Sequence, residues 1–310
     1  MDDEVRAMRQ RLFAALRPAR TPASGRTAAP SLPPGRLITL PGRGELFVRD
    51  HRPADAIDPP VLLLHGWSWS LDVNYFGVMS RFVADRIGFL GYDQRGHGRG
   101  LPADRPFEIE DLAADALALL DLLGIGKVIV SGYSLGGPVA LHLALSHPDR
   151  VAGLVLAATA LNYRQTLRDR TVWRVLTATT PLARLGIGSS ISARYFGLSR
   201  RTSPDLAAMW PWLRGELART PVSGVFATGR AVSRYDLRHR VAGLRRIPAA
   251  VVITTHDTVC HPRTQQQLAD QLEARSFELP ADHDAPVVRP AEFAAAVTAA
   301  IAHVRSPSPK

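Results

Sequence analysis

Short aliphatic runs alternate with amphipathic stretches along most of the chain. Val61 to Leu64 is wholly aliphatic, which is typical of a strand buried on both faces of a sheet. Residues 109–123 instead carry apolar side chains at the spacing of an amphipathic helix. Similar segments recur from residue 37 to residue 158 and from residue 249 to residue 304. Strands that alternate with helices predict an α/β fold, with a mostly parallel sheet covered by helices on both faces.

An interruption of this alternation predicts the domain organisation. After residue 161 the β/α repeat stops until about residue 247, and aromatic residues are mixed with arginines. Before the core, residues 1–20 have apolar positions at helical spacing and predict a basic amphipathic helix, followed by a proline-rich linker. The predicted units are an N-terminal helix and linker (1–35), a first core part (36–161), an inserted segment (162–246), a second core part (247–304) and a tail (305–310).

The positive charge of the chain is concentrated in the inserted segment. The 310 residues carry 38 Lys and Arg against 28 Asp and Glu, a formal net charge of +10. Residues 162–246 alone hold 16 basic and 4 acidic residues, a net +12. A solvated basic surface, contact with an anionic membrane and attraction of an anionic substrate are the open interpretations, with Arg200-Arg201 and Arg245-Arg246 as first candidates. No nucleic-acid-binding motif accompanies the charge, so nucleic acid is not expected as a partner.

Cysteine usage and hydropathy favour the cytoplasm. Cys260 is the single cysteine, so no disulfide forms within the chain. No apolar run approaches the ~18 residues of a membrane span. Arginines interrupt the N-terminal segment where a secretory signal would have its apolar core. We expect a cytoplasmic protein, with peripheral membrane contact through residues 1–20 and the basic segment left open.

The stretch from Val128 to Gly137 carries the strongest chemical signal. A β-branched run ends in Gly132-Tyr133-Ser134-Leu135-Gly136, and a helical stretch follows at once. This is the G-x-S-x-G pattern in a strand–turn–helix context. Its glycines let neighbouring backbones pack closely at a sharp turn, which lifts the serine hydroxyl above the sheet. Ser134 is therefore the candidate nucleophile.

Four motifs give the chain a resemblance to the α/β-hydrolase fold family. They are His65-Gly66-Trp67, the Gly132 to Gly136 turn, Asp257 in Thr255-His256-Asp257-Thr258-Val259, and His283 in Asp282-His283-Asp284. The resemblance covers roughly residues 36–304 and implies the fold of that family, with a helical cap at residues 162–246. It also implies the chain order nucleophile, acid, histidine.

This chain order selects the partners of Ser134. His261, His283 and His303 follow Asp257, and His283 is favoured because it lies in a loop after a predicted strand. Asp257 lies at the end of a predicted strand, where ligand sites of parallel sheets gather. It would accept the Nδ1–H of His283 and stabilise the imidazolium.

The acid loop departs from the family in one respect. The family commonly has a proline four residues after the acid, whereas His261 occupies that place here and Pro262 follows it. We therefore expect the shape of this loop to differ from that of the family, with Asp257 still as the acid. Asp282 and Asp284 flank His283, and we expect them to tune its basicity rather than to replace the acid.

The resemblance also implies an oxyanion hole. The backbone N–H of Leu135, directly after the nucleophile, would be one donor, and that of Trp67 would be the other. Gly66 would allow close approach of the backbone, and His65 is expected to hold this loop in place. A further loop, residues 91–100, also resembles the family and is expected to be structural.

These residues predict a serine hydrolase that cleaves a carboxylic ester or thioester through an acyl-enzyme on Ser134. Aromatic residues of the inserted segment favour a small-molecule substrate with an apolar acyl group, although packing alone could require them. Carbon–carbon bond hydrolases, peptidases and cofactor-free haloperoxidases share the serine triad and stay open, as does a non-catalytic scaffold or receptor. Neither a dinucleotide motif nor a metal-ligand pattern is evident, so no cofactor and no metal is expected.

Overall fold

The computed structural model describes residues 29–306 except 165–166, 168, 172 and 175–203. Its centre is an eight-stranded sheet with the order β1-β2-β4-β3-β5-β6-β7-β8. The strands are β1 (Gly35–Leu40), β2 (Gly44–His51), β3 (Val61–Leu64), β4 (Phe89–Tyr92), β5 (Val128–Tyr133), β6 (Val151–Ala157), β7 (Ala249–Thr254) and β8 (Arg275–Leu279). The α-helices are α1 (Leu71–Ala84), α2 (Ile109–Leu122), α3 (Gly136–Ser146), α4 (Pro204–Leu217), α5 (Val222–Val232), α6 (Pro262–Leu272), α7 (Ala285–Val288) and α8 (Pro290–Arg305).

The sheet is mostly parallel, as the alternation of strands and helices predicts. β1 and β2 form an antiparallel hairpin, and β2 is also antiparallel to β4. All other neighbouring strands pair in parallel, so their carboxyl ends meet at one edge. This edge is where an open parallel sheet offers a ligand site. The predicted fold class is thereby confirmed.

Alternate residues of the central strands supply two separate cores. Leu62 and Leu64 of β3 point to the face covered by α2, α3 and α6, and Val61 and Leu63 point to the face covered by α1 and α8. Successive side chains of a strand lie on opposite faces, so a strand buried on both sides must be apolar throughout. Full burial of one such side chain contributes about 1.5–3 kcal/mol. The wholly aliphatic composition of β3 follows from this position.

The ends of two elements differ from the predicted ones for local reasons. The sequence pattern predicts a helix from Asn74, whereas α1 begins three residues earlier at Leu71, because the Ser70 hydroxyl caps the helix by accepting from the Val73 N–H. The pattern also predicts a strand from Arg86, whereas β4 begins only at Phe89, because Arg86 adopts a left-handed conformation with φ of +56° just after α1. The four-residue helix α7 was not predicted.

The division of the chain into units stays a prediction. Residues 1–28 lie outside the described residues, and with them the predicted N-terminal helix and most of the linker. Of the inserted segment the structure describes two long helices, α4 and α5, and the predicted helical cap stays a prediction. Among the helices that the structure describes, none combines the length and the apolar composition needed to cross a membrane.

Helix α4 packs on the body through apolar side chains. Leu213 and Leu217 bury against Trp69 of the body, and Trp212 meets the ring of Phe76 edge-on at 5.7 Å. Trp212 and its neighbours therefore have a packing role, and this part of the aromatic content does not by itself indicate an apolar substrate.

A network of charged side chains also joins α4 to the body. The Arg99 guanidinium lies 3.0 Å from Asp72 and 3.5 Å from Glu216 of α4, and it stacks over the ring of Phe47. Burial raises the pKa of Glu216, although the charge of Arg99 opposes this shift. Loss of one member of a buried ion pair leaves its partner uncompensated, which is strongly destabilising. The network therefore favours one position of α4 over others.

Helix α5 rests directly on the backbone of the body. A Cβ at Gly224 would lie 1.9 Å from the carbonyl oxygen of Gly96, so no side chain fits there. Beside this contact, the Trp67 indole donates to the Val225 carbonyl at 2.8 Å, and the Gly98 N–H donates to the Thr220 hydroxyl at 3.0 Å. The loop after β3 and the loop after β4 together form the seat of α5.

We expect Gly224→Ala to displace α5 and to destabilise the protein by about 1–3 kcal/mol, the usual cost of overpacking. The free energy of unfolding, measured with denaturant, checks this. Gly215→Ala is the matched control, because a Cβ at Gly215 of α4 meets nothing within 4 Å. In a helix interior that change is expected to stabilise by roughly 0.5–1 kcal/mol. Equal stability of the two variants would contradict the close seat of α5.

Candidate active site

Ser134 lies at the tip of the turn between β5 and α3. Its φ of +51° is in the left-handed region, which a non-glycine residue adopts only under strain. Glycines make the turn sterically feasible. A Cβ at Gly136 would lie 2.0 Å from the Leu64 carbonyl oxygen, and one at Gly132 would lie 2.4 Å from the Gly136 carbonyl oxygen. The close backbone packing anticipated for this motif is present.

The structure brings Ser134, His283 and Asp257 into one hydrogen-bonded line. The His283 Nε2 lies 3.0 Å from the Ser134 Oγ, and the His283 Nδ1 lies 2.8 Å from the Asp257 Oδ2. With its proton on Nδ1, the imidazole donates to the carboxylate and accepts from the serine hydroxyl. The Asp257 side chain is fully buried, whereas 17% of the His283 side chain is exposed. This is the arrangement of a nucleophile, a base and a carboxylate that orients the base.

The acid loop satisfies both oxygens of Asp257. The Oδ1 accepts the N–H groups of Val259 at 2.9 Å and Cys260 at 2.6 Å. The Oδ2 accepts the Thr254 hydroxyl at 2.7 Å and the Gln265 amide at 3.2 Å, besides His283. These donors hold the carboxylate in one orientation. The missing proline of the family pattern does not disturb this geometry.

His283 is held from two further sides. The Tyr133 hydroxyl donates to the His283 carbonyl, and the two rings lie 5.5 Å apart. On the other side the Asp282 Oδ1 accepts the His283 N–H at 2.7 Å and the Thr258 N–H at 2.8 Å. Burial of the Asp282 carboxyl opposes its ionisation, but these donors outweigh burial and lower its pKa. Asp282 thus ties the histidine loop to the acid loop and does not replace Asp257.

The two expected oxyanion donors border the serine turn. Leu135 follows Ser134 at the start of α3, and Gly136 packs against the end of β3, where the Trp67 loop begins. Within the described part of the chain, no hydrogen-bond partner meets the backbone N–H of Trp67 or Leu135. Backbone N–H groups near a buried serine are normally paired, so two such donors fit a site for a substrate oxygen.

The loops after β3 and β4 are joined by buried polar groups. His65 accepts the Gln94 N–H at 2.8 Å through Nε2 and contacts the Gly66 carbonyl at 2.8 Å through Nδ1. Its ring meets the ring of His97 edge-on at 5.2 Å. Asp93 accepts the Leu71 N–H at 2.8 Å from the same region. These groups hold the loops together, as the sequence predicts for His65.

The other histidines near the acid lie away from the serine. His261 is exposed and caps α6, where its Nδ1 accepts the Arg263 N–H at 3.2 Å. His303 packs its ring 6.1 Å from that of Phe277, and His256 is exposed. His261, which occupies the place of the family's proline, therefore caps the N-terminus of α6.

Residues beyond the predicted set contact the back of the serine turn. The Thr159 hydroxyl donates to the Ser134 carbonyl at 2.8 Å, and the Tyr163 hydroxyl donates to the same oxygen at 3.3 Å. The Trp173 indole in turn donates to the Tyr163 carbonyl at 2.6 Å, and its ring lies 5.5 Å from that of Trp67. The position of Thr159 just beyond β6, beside β5, is the signal that could have identified it.

Of the two arginine pairs named from the sequence, the structure describes Arg245-Arg246. Arg245 lies 3.3 Å from Glu273 and donates to the Gln271 carbonyl at 3.0 Å, while Arg246 is exposed beside it. Arg200-Arg201 lies outside the described residues.

Comparison with known proteins agrees with this geometry. A model of the α/β hydrolase fold matches residues 59–290. The chain is 26% identical over 234 residues to 3-oxoadipate enol-lactonase 2 of Acinetobacter baylyi, which covers 74% of this chain and 82% of the relative. It is 30% identical over 235 residues to a pimeloyl-[acyl-carrier protein] methyl ester esterase of Chromobacterium violaceum, with 74% and 88% covered.

A solved structure shows the same architecture. The enol-lactonase from Burkholderia xenovorans superposes with a TM-score of 0.70 at 26% identity, over 86% of this chain and all of that chain (100%). By name, the relatives compared are enol-lactonases and a methyl ester esterase, and the similarity extends across the body of the chain.

The buried histidines predict acid sensitivity. Burial lowers the pKa of His65 to about 4 and that of His97 to about 3, because the charged form is disfavoured. Both histidines are neutral in the folded protein. Their contribution to the free energy of unfolding is therefore full above about pH 6.5 and decreases as the pH falls from there towards 4. Each histidine then costs about 1.4 kcal/mol per pH unit in the free energy of unfolding.

Denaturant unfolding between pH 7 and pH 5 measures this slope. We expect His97→Asn to reduce the slope by about one proton, whatever its effect on stability at pH 7. His239→Asn, which removes an exposed histidine, is the matched control. A His97→Asn slope equal to that of the unaltered protein would show that this histidine is not kept neutral by the fold.

Proposed function

The chain belongs to the α/β-hydrolase fold family, and from this premise we propose that it is a serine hydrolase that cleaves a carboxylic ester or thioester. The single observation that carries the proposal is the position of His283, within hydrogen-bond distance of both the Ser134 Oγ and the Asp257 Oδ2. A serine hydroxyl is a weak nucleophile at neutral pH unless an oriented base takes its proton. This geometry provides such a base.

In the proposed acylation step, the Ser134 Oγ attacks the carbonyl carbon of the substrate. His283 takes the hydroxyl proton on Nε2, and Asp257 stabilises the imidazolium through Nδ1. The carbonyl oxygen becomes an oxyanion that the N–H groups of Leu135 and Trp67 stabilise. Because these donors are fixed by the turn and by the loop after β3, little reorganisation accompanies the reaction.

Collapse of the tetrahedral intermediate gives an acyl-enzyme. The bond between the carbonyl carbon and the leaving oxygen or sulfur breaks, His283 gives its proton to the departing alcohol or thiol, and the acyl group stays bound to Ser134 as an ester. A water molecule then attacks the acyl carbon with His283 again as base, which releases the acid and restores the serine. The water supplies the hydroxyl of the acid, and its second proton returns to the serine oxygen through His283.

Aromatic rings near Ser134 support a substrate with an apolar acyl group. Trp67 and Trp173 lie side by side, and Trp173 is bonded to Tyr163 behind the nucleophile. Carbon–carbon bond hydrolysis, peptide hydrolysis and haloperoxidase chemistry use the same triad, so substrate assays decide among them. Location in the cytoplasm and peripheral contact with an anionic membrane stay predictions.

We expect Ser134→Ala to lose at least 10⁴-fold in turnover of p-nitrophenyl esters while the fold is kept, since triad losses are typically of this size. A fluorophosphonate probe should label the unaltered protein at Ser134 and leave the variant unlabelled. More than about 1% residual turnover in the variant would contradict Ser134 as nucleophile. Absence of labelling in the unaltered protein would favour a non-catalytic scaffold.

Asp257→Asn is expected to reduce kcat by about 10⁴-fold with little change in KM, because the amide orients the wrong imidazole tautomer. His283→Ala should cost at least as much. His261→Ala is the matched control, because that histidine follows the same acid in the chain but caps α6. If His261→Ala were the more damaging histidine variant, the assignment of the base would be wrong.

A further inference from the structure

A cavity lined by arginines lies in the basic segment, apart from the proposed triad. Its volume is about 510 Å³, within the range of small-molecule sites. None of the triad residues lines it. The arginines at its wall are Arg164, Arg170, Arg174, Arg234 and Arg238.

The positive charge of the cavity is only partly balanced. Arg238 pairs with Asp236 at 2.6 Å, and Arg234 pairs with Glu108. Asp236 is the one carboxylate among the wall residues that the structure describes. For the three remaining arginines of the wall, no ion pair with a carboxylate is found among the described residues. Like charges that face one concave space repel each other, and an anion placed between them relieves this repulsion.

A buried hydroxyl at the same wall also lacks a partner. Tyr235 is 5% exposed and lines the cavity, and its hydroxyl has no hydrogen-bond partner among the described residues. Buried hydroxyl groups are normally paired, so such a group is unusual. Burial raises the pKa of Tyr235, which keeps the hydroxyl protonated as a donor. An anionic oxygen in the cavity would complete its hydrogen bonding.

We propose that this cavity binds a small ligand that carries at least two negative charges as phosphate or carboxylate groups. The planar fork of a guanidinium donates two parallel hydrogen bonds to either group. A concave wall of five arginines suits a compact polyanion. The inference goes beyond the proposed hydrolase function, because it assigns a binding site outside the triad.

One residue, Tyr163, links the wall of the cavity to the turn that carries Ser134. The rings of Tyr235 and Tyr163 are 5.9 Å apart, and the Tyr163 hydroxyl donates to the Ser134 carbonyl. The anion can therefore belong to a substrate that reaches the serine, or to a separate ligand. Both sources present the same phosphate or carboxylate groups to the arginines, and hydrolysis of matched esters distinguishes them.

Calorimetric titration with inorganic pyrophosphate tests the site. The titration uses the full-length Ser134→Ala protein as well as the unaltered one, so that binding is measured independently of any hydrolase activity. We expect saturable 1:1 binding that weakens as salt screens the exposed arginines. Absence of saturable binding at millimolar pyrophosphate and low salt would overturn the proposal.

Variants locate the bound anion. Arg170→Ala and Arg174→Ala should each weaken binding about tenfold or more, since a charge-assisted bidentate contact is lost. Arg246→Ala is the matched control, an exposed arginine of the same segment that does not line the cavity, and should change affinity less than twofold. An equal loss in all three variants would indicate unspecific attraction and overturn the site. Circular dichroism checks that each variant is folded.

Tyr235→Phe tests the hydroxyl alone. It keeps the ring and removes a buried group that has no partner, so the fold should be preserved. Pyrophosphate binding is expected to fall several-fold. Unchanged affinity would overturn the part assigned to the hydroxyl.

Hydrolysis of matched esters identifies the source of the anion. If the anion belongs to the substrate, Arg170→Ala should raise KM for a carboxylate-bearing ester and leave the neutral ester of equal length unaffected. If the ligand is separate, pyrophosphate should bind without competing with either ester. Either result supports the cavity as an anion site, whereas loss of pyrophosphate binding alone leaves the proposed hydrolase function intact.

Discussion

The close backbone contact at the nucleophile turn is the constraint on which the rest of the site depends. The start of α3 lies so near the end of β3 that a Cβ at Gly136 would meet the Leu64 carbonyl oxygen. Ser134 is held there in a left-handed conformation, which costs roughly 1–3 kcal/mol. The surrounding sheet tolerates this cost because β5 is bonded to β3 on one side and to β6 on the other.

The same strand order determines which loops meet the serine. The Trp67 loop follows β3, and Thr159 follows β6. Because β3 and β6 are the two neighbours of β5 in the sheet, the Trp67 loop and the Thr159 hydroxyl both lie beside the turn that carries Ser134. Asp257 and His283 follow β7 and β8, which are neighbours in the sheet. Their loops are joined by Asp282, so Asp257 and His283 are positioned as one unit rather than separately.

The sequence was sufficient for the parts that short-range patterns encode. The G-x-S-x-G turn identified Ser134, and the order of the chain with the ends of the strands selected Asp257 and His283, which the structure brings together. Aliphatic runs predicted the buried strands for the reason that β3 shows, burial on both faces. The start of α1 could also have been found, because Ser70 is a normal capping residue that the prediction overlooked.

What the sequence could not provide depends on contacts between distant residues. The donation from Tyr133 to the His283 carbonyl joins residues 150 positions apart. The close contact between Gly224 and Gly96 joins two glycines that no local motif and no helical or strand period connects. The four-residue helix α7 is too short to leave a period, and it forms where the chain turns from His283 towards α8.

The arginine-rich segment shows how the same limit applies to charge. Its net charge of +12 can be counted from the sequence, but the count does not distinguish arginines by their partners. Arg219 lies 3.1 Å from Glu216 at the end of α4, and Arg245 lies 3.3 Å from Glu273 just after α6, so part of the positive excess is paired with nearby carboxylates. An arginine that contacts a carboxylate has much of its field cancelled at short range. Of the five arginines around the cavity beside Tyr235, Arg164, Arg170 and Arg174 have no carboxylate partner among the described residues, so the field at that cavity depends on side chains that only the folded chain brings together.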